Sequence, residues 1–371
     1  MRDVAEAADL EHAQAGKARR LRSLDALRGL TVVGMILVNA SAALSYRGPV
    51  FPLLLHAEWA GFTIADTVFP AFIVMVGVSI AVASRPDRPL AKATALARAG
   101  RLILLGLLLT NMFKLWSFDA FPWRLPGVLQ RIGIVYAATA LLYPRTGTRT
   151  RALLAGFILL LYWPLCLIPS PDGLPTDLWV PGHNFVSWVD RTLLGAFAGE
   201  QGPAGYDPEG VLSTLPAFAE CLIGAVAGDL LRRGRAGRPL AAGGAAMIAG
   251  GLVWGLAFPI AKKLWTSSFV LVSAGLTLVL LAGFHAWLDR GEAPARRGGL
   301  LGSFGRNAIT AYALHEAVIF LLGSSALKAP YQWLAPQVGP QVAALAPVAL
   351  FIALLWCLFA SMDRRGWYVK I

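Results

Sequence analysis

Long apolar runs separated by polar connections set out the plan of this chain. Runs at about 26–46, 63–83, 99–113, 127–143, 152–168, 211–231, 240–258, 267–288, 301–323 and 342–361 each approach the roughly 20 residues that carry an α-helix across a bilayer. The third and fourth are short. The pattern predicts an all-α fold, a polytopic transmembrane helix bundle of about ten spans. No internal repeat or low-complexity segment divides it. Residues 23–371 are therefore expected to form one membrane domain behind a polar tail at 1–22.

Composition agrees with the pattern. Of 371 residues, 57% are hydrophobic and 15% charged, with a mean hydropathy of +0.61, well outside the balance of a soluble domain. The lipid bilayer is the first partner this implies. A net charge of +12 raises nucleic acid as another, but the basic residues are spread over alternate short connections, and no nucleic acid is expected. Arg85, Arg88, Lys92, Arg98 and Arg101 lie in one such connection, Arg145, Arg149 and Arg151 in the next. Arg232, Arg233, Arg235 and Arg238 follow, then Arg290, Arg296 and Arg297, and finally Arg364, Arg365 and Lys370. An excess of Lys and Arg marks the cytoplasmic side, so both termini are expected in the cytoplasm and the span number is even. The tail lacks the apolar stretch of a signal peptide. Connections on the other side carry few cations, mainly Arg47, Lys114, Arg124, Arg191, Lys262, Lys263 and Lys328. Cys166, Cys221 and Cys357 lie inside apolar runs without metal-like spacing, so neither a disulfide nor a metal is expected.

The longest outer connection, about 169–210, holds Trp179, His183, Trp188, Asp190 and Arg191. It is too long for a mere turn, and reads either as an interfacial aromatic belt or as a cap over a sugar site. Polar chemistry concentrates earlier, between residues 38 and 70. There a run ends at Asn39, a short connection carries His56, Glu58 and Trp59, and the next run opens with Asp66. Groups that orient or move protons are costly in so apolar a chain without partners or a task. Taken alone, His56 reads as structural or catalytic, and Asp66 as a helix-end cap or a partner for it. The His-x-Glu of 56–58 invites a zinc-deaminase comparison, but that signature's cysteine pair is missing. Asp25 and Arg28 are spaced as a helix-end ion pair. His315 and Glu316 fall deep in a run, where an ionisable pair suggests an interior cavity or a quiet internal hydrogen bond. Gln130, Arg131, Lys262, Lys263 and Trp265 add polar groups on the outer side, as pocket walls or snorkelling side chains.

Eight blocks in order then carry a resemblance: 23–29 (SLDALRG), 37–39 (LVN), 54–59 (LLHAEW), 66–70 (DTVFP), 126–132 (PGVLQRI), 207–216 (DPEGVLSTLP), 262–269 (KKLWTSSF) and 305–309 (GRNAI). From about residue 21 to the C-terminus the chain resembles the bacterial branch of the heparan-α-glucosaminide N-acetyltransferase family of transmembrane acyltransferases. The resemblance implies an enzyme that uses cytosolic acetyl-CoA as acyl donor to N-acetylate a terminal glucosamine across the membrane, here the bacterial inner membrane. His56 corresponds to the family's active-site histidine. It would accept the amine's proton or the acetyl group itself, with Asn39 and Asp66 orienting it or Asn39 holding the thioester oxygen. Arg28, Arg306, Asn307 and His315 are the candidates for coenzyme A, whose phosphates suit arginine forks and helix N-termini. Glu58 and Trp59 would meet the cationic amino sugar or glycan, with Arg131, Lys263 and Trp265 shaping the acceptor pocket. An amino-sugar permease, an O-acyltransferase and a non-catalytic scaffold are the competing readings, and a homodimer is left open.

Overall fold

The computed structural model of the protein describes residues 21–44, 51–84, 91–112, 123–234, 236–289, 298–322 and 325–369. Most of the tail, Arg47, Arg85, Arg88, Lys114, Arg235, Arg290, Arg296, Arg297 and Lys370 of the charge pattern lie outside these residues. Thirteen α-helices run through the described residues: α1 Arg22–Leu44, α2 Val68–Ala83, α3 Lys92–Thr110, α4 Val128–Leu142, α5 Thr148–Cys166, α6 Phe185–Leu194, α7 Thr214–Arg232, α8 Gly237–Trp254, α9 Ser267–Phe284, α10 Leu300–Arg306, α11 Ala308–Leu322, α12 Ser325–Val338 and α13 Pro340–Arg365. Among those residues the one β-type pairing is an isolated bridge between Glu200 and Tyr206.

Among the described residues, seven helices are long and apolar enough to cross a membrane: α1, α2 with its leading turn, α3, α5, α7, α9 with its trailing turn, and α13. The runs expected at 127–143, 240–258 and 301–323 are helical but are not among the seven. The last of these breaks in two at Asn307, which ends the first piece with its side-chain amide turned back onto the Ser303 carbonyl at 3.0 Å. Two helices lie outside the expected runs. Short α6 sits in the outer connection, started by the Asn184 side chain accepting from Ser187 N at 2.9 Å. α12 carries Pro330 and Pro336 and packs on α13 through Tyr331 and Ala343.

α2 carries seven Val or Ile among its 16 residues, types that favour strands in water. Where no water reaches the backbone, a helix satisfies every N–H and C=O within one segment, and that requirement overrides propensity. Packing then depends on close approach. α2 and α7 meet so tightly that a Cβ on Gly77 would lie 1.9 Å from the Cys221 carbonyl oxygen, and one on Gly224 2.0 Å from that of Val74. The contact is continuous with a core containing Phe69, Ile73, Leu222, Trp265 and Phe269.

The helix ends sort into two groups. At one end, Ser23 N donates to Asp289 after α9 at 3.2 Å, Arg151 pairs with Asp229 at 2.5 Å and Arg232 donates to the Ser84 carbonyl. Arg306 pairs there with Asp363 near the end of α13. At the other end lie the end of α1, the start of α2 and the turn before α9.

Candidate active site

The 56–66 segment and the turn before α9 build the reactive cluster. The Asp66 carboxylate is fully buried, in a 3-10 turn (Ala65–Thr67) ahead of α2. It does not cap α2. Instead it turns back, receiving Thr63 N at 3.1 Å, Ala57 N at 3.3 Å and the Thr63 hydroxyl at 3.0 Å. His56 Nδ1 lies 2.8 Å from Asp66 Oδ1, while the imidazole is 41% exposed. A buried carboxylate at Nδ1 selects the tautomer with its proton there, which leaves the lone pair on Nε2.

Lys262 joins them. Its Nζ is 3.0 Å from His56 Nδ1, 3.1 Å from Nε2 and 3.7 Å from Asp66 Oδ1. With Nδ1–H committed to Asp66, Nε2 is the nitrogen that can accept from the ammonium. Burial pushes the Lys262 ammonium down from its ordinary value, while the Asp66 and Glu209 carboxylates pull the other way. The two segments are stitched by one backbone hydrogen bond, Gly61 N to the Ile260 carbonyl, at 2.8 Å. The cluster thus holds an oriented imidazole, its carboxylate and a partly shielded cation, a set that can take a proton and stabilise developing negative charge.

The remaining predicted residues divide among other surroundings. Asn39 is not on His56: its Nδ2 donates to Glu316 Oε1 at 3.0 Å and lies 3.1 Å from His315 Nε2. His315 is fully buried and its Nδ1 is 3.2 Å from the Ala311 carbonyl. The pair therefore forms a second polar cluster, between α1 and α11. Arg28 pairs with Asp25 at 3.6 Å and donates to Ser79, and Arg306 is held by Asp363. Asn307 is buried, with its Oδ1 unbonded among the described residues. Trp59 is buried, its indole N–H spent on the Leu178 carbonyl at 2.9 Å and its ring edge-on to Tyr206. That bond ties the His56 segment to the outer connection. Glu58 is exposed. Lys263 lies 6.0 Å from the Tyr206 ring centre. Arg131 is buried, with its guanidinium 4.8 Å from the Trp265 ring centre and Nη2 donating to the Ser213 hydroxyl.

Sequence reasoning grouped Lys262 with Lys263 as an outer polar residue without placing it on His56, and missed a carboxylate network beside the cluster. Arg124 pairs with Asp207 at 2.8 Å and Glu209 at 2.5 Å. Both carboxylates lie in the 207–216 block, a signal that had been read only as part of a resemblance. Asp190 in α6 receives Val211 N at 2.8 Å and Asp207 N at 3.4 Å. Burial pushes its carboxyl up to about 7 despite those bonds. Glu220, fully buried in α7, receives the Trp265 indole N–H at 3.0 Å and the Ser273 hydroxyl at 2.8 Å.

Comparison with known proteins bears on this arrangement. The chain is 30% identical over 264 residues to heparan-alpha-glucosaminide N-acetyltransferase of Homo sapiens, covering 57% of this chain and 38% of that protein. It is also 30% identical over 266 residues to the protein of the same name from Mus musculus, covering 58% and 39%. The chain thus spans about two fifths of the length of these curated relatives. A family model described as an acyltransferase domain matches residues 21–362, nearly the whole helix bundle. A match of that extent, over helices long and apolar enough to cross a bilayer, places this chain in the acyltransferase domain family.

Proposed function

We propose that the protein transfers an acetyl group from cytosolic acetyl-CoA to the amine of a glucosamine-type sugar or glycan on the outer side of the bacterial inner membrane. In this reading ten helices span the membrane and both termini are cytoplasmic. The observation that carries it is the His56–Asp66–Lys262 cluster, held at the helix ends opposite Arg28, Arg306 and Asn307. The donor's phosphates would meet that basic end, and its thioester the cluster.

The chemistry follows from the three side chains. The acceptor amine displaces Lys262 from His56 Nε2, and that lone pair takes the amine proton as nitrogen attacks the thioester carbonyl. The displaced Lys262 ammonium then faces the oxyanion. The carbon–sulfur bond breaks, and the thiolate leaves with the proton held by His56, so the products are an acetamide and a free thiol. Asp66 keeps the imidazolium oriented throughout. If His56 itself takes the acetyl group, the same residues serve in two steps. Asn39, with His315 and Glu316, would hold the donor on the inner side of the cluster. The site for the sugar would draw on Glu58 and Lys263, with the buried Trp59, Arg131 and Trp265 shaping its floor from behind rather than touching the sugar.

The decisive experiment incubates purified protein with labelled acetyl-CoA and a panel of sugars, following acetyl transfer and thiol release together. Transfer to free-amine sugars alone is the expected result. An O-acetyl product on an amine-free sugar makes the protein an O-acyltransferase. Sugar movement across vesicles without thiol release makes it a permease.

A further inference from the structure

Lys262 reaches His56 only because of the turn that carries it, and the turn has an unusual anchor. Between Ala261 and Thr266 the chain closes on itself: Trp265 N donates to the Lys262 carbonyl at 3.0 Å and Thr266 N to the Ala261 carbonyl at 3.2 Å. The Thr266 hydroxyl accepts from Ala261 N at 3.0 Å and donates to the Pro259 carbonyl at 2.7 Å. Trp265 has φ +54°, the one non-glycine residue with positive φ among the described residues. A bulky side chain adopts that backbone only when its surroundings over-determine it. Here they do, since the indole is fully buried. Phe69, one turn after Asp66, packs edge-on at 4.8 Å between ring centres, and Phe269 at 5.3 Å. Arg131 covers the ring at 4.8 Å. The directional bond is the one from Trp265 Nε1 to Glu220 Oε2, and Ser273 fixes the other carboxyl oxygen.

We propose that Glu220 is a positioning residue for the acyl-transfer site: through the Trp265 indole it holds the Ala261–Thr266 turn in the strained form that sets Lys262 on His56. The carboxyl oxygens serve as acceptors at fixed points, so an amide of the same shape substitutes. Glu220→Gln keeps an oxygen for the indole and turns its NH2 toward the Ser273 hydroxyl, which can accept it. Glu220→Ala leaves the indole N–H without an acceptor in an apolar interior, which favours relaxation of the turn. Trp265→Phe removes the same bond from the other side while keeping a ring between Phe69 and Phe269.

The test compares Glu220→Ala, Glu220→Gln and Trp265→Phe in the full chain by two readouts. The first is acetyl transfer to glucosamine, and this arm rests on the function proposed above. Glu220→Ala and Trp265→Phe should lower kcat about 100-fold, the cost of a misplaced catalytic group, with KM for acetyl-CoA near wild type and Glu220→Gln near wild type in both. The second is labelling of Lys262 relative to Lys263 by an amine-reactive ester, read by mass spectrometry. The ratio should rise in Glu220→Ala and Trp265→Phe and stay unchanged in Glu220→Gln. Should wild type itself lack acetyl transfer, the proposed activity fails, and labelling alone decides the positioning role. An unchanged labelling ratio in a folded Glu220→Ala, or a Gln variant as impaired as Ala, overturns the proposal. If Glu220→Ala does not fold, Trp265→Phe with wild-type labelling overturns it equally.

Discussion

At the scale of single residues, the division of labour between neighbouring lysines is the sharpest expectation. Lys262 contacts both imidazole nitrogens while Lys263 faces Tyr206. Removing a preorganised cation that faces a developing oxyanion typically costs about 100- to 1,000-fold in kcat. Lys262→Ala should therefore fall by that amount, and Lys263→Ala should stay within about tenfold of wild type, as expected for rim contacts. His56→Ala should abolish transfer yet leave the melting temperature unchanged, since a 41% exposed imidazole contributes little to packing. Near wild-type turnover in His56→Ala would make the histidine structural. His56 and its partner Asp66 were legible in the chain, because a histidine and a carboxylate at the mouth of one apolar hairpin are rare. The choice of lysine was not. Two adjacent lysines differ only in the direction a strained turn gives them, and nothing in the residue pattern announces a positive φ at a tryptophan. Asn39 was placed in the right hairpin but on the wrong partner, since α11 approaches α1 from 276 positions away.

Elements carry two further expectations. The α2–α7 seam leaves no room for a methyl group at Gly224, where Cβ would lie 2.0 Å from a backbone oxygen. Gly224→Ala should cost about 1–3 kcal/mol of stability through forced helix separation, read as a lower melting temperature in detergent. Gly250 on α8, with nothing within 4 Å of its Cβ position, is the control. Gly250→Ala should be neutral or mildly stabilising. The outer connection should respond to pH through Asp190. Its carboxyl sits at about 7, against about 3.9 in an unfolded chain. Between those values the folded loop keeps a proton that the opened loop has lost, so stability falls as pH rises and levels off above 7. Asp207 pushes the same way as burial, and Arg131 and the two backbone N–H bonds oppose it. Amide exchange across 185–211, corrected for its intrinsic pH dependence, should report an opening constant rising by up to about tenfold per pH unit in that window. Asp190→Asn should flatten the profile. The helices themselves were largely legible, because an apolar run of bilayer length has few alternatives to a helix. The break at Asn307 was hidden because a single run was drawn across Gly305, Arg306 and Asn307 from the apolar residues that follow. α6 and α12 were hidden because their sequences are too polar or proline-bearing to stand out.

For the whole molecule, the open quantity is the number of crossings. Among the described residues seven helices meet the length and hydropathy expected of a span, and an odd number would place the termini on opposite sides. The ten-span reading adds α4, α8 and α11 and returns both termini to the cytoplasm. Its support is that Arg151, Arg232 and Arg306 gather at one end of the bundle with Asp229, Ser84 and Asp363, as one-sided basic connections require. Reporter tags fused to each end should both be cytoplasmic, and a C-terminal tag found outside would sink the ten-span count. One of these cations does more than mark a side. Arg151, counted among the basic residues of its connection, is buried against Asp229 and covers the Tyr143 ring at 4.0 Å, so its role includes locking α5 to α7.

The reactive cluster draws its imidazole and carboxylate from before α2 and its cation from before α9, joined by a single backbone bond between Gly61 and Ile260. The chain passes from one half to the other through an exposed turn at Arg233 and Gly234. The protein is therefore a natural candidate for fragment complementation. Cutting the gene at that turn gives two membrane fragments, each holding part of the machinery and neither able to complete it. Co-expressed, they should recover acetyl transfer in proportion to their association, turning an enzymatic signal into a gauge of helix docking. Activity from the first fragment alone would show that the cation is dispensable.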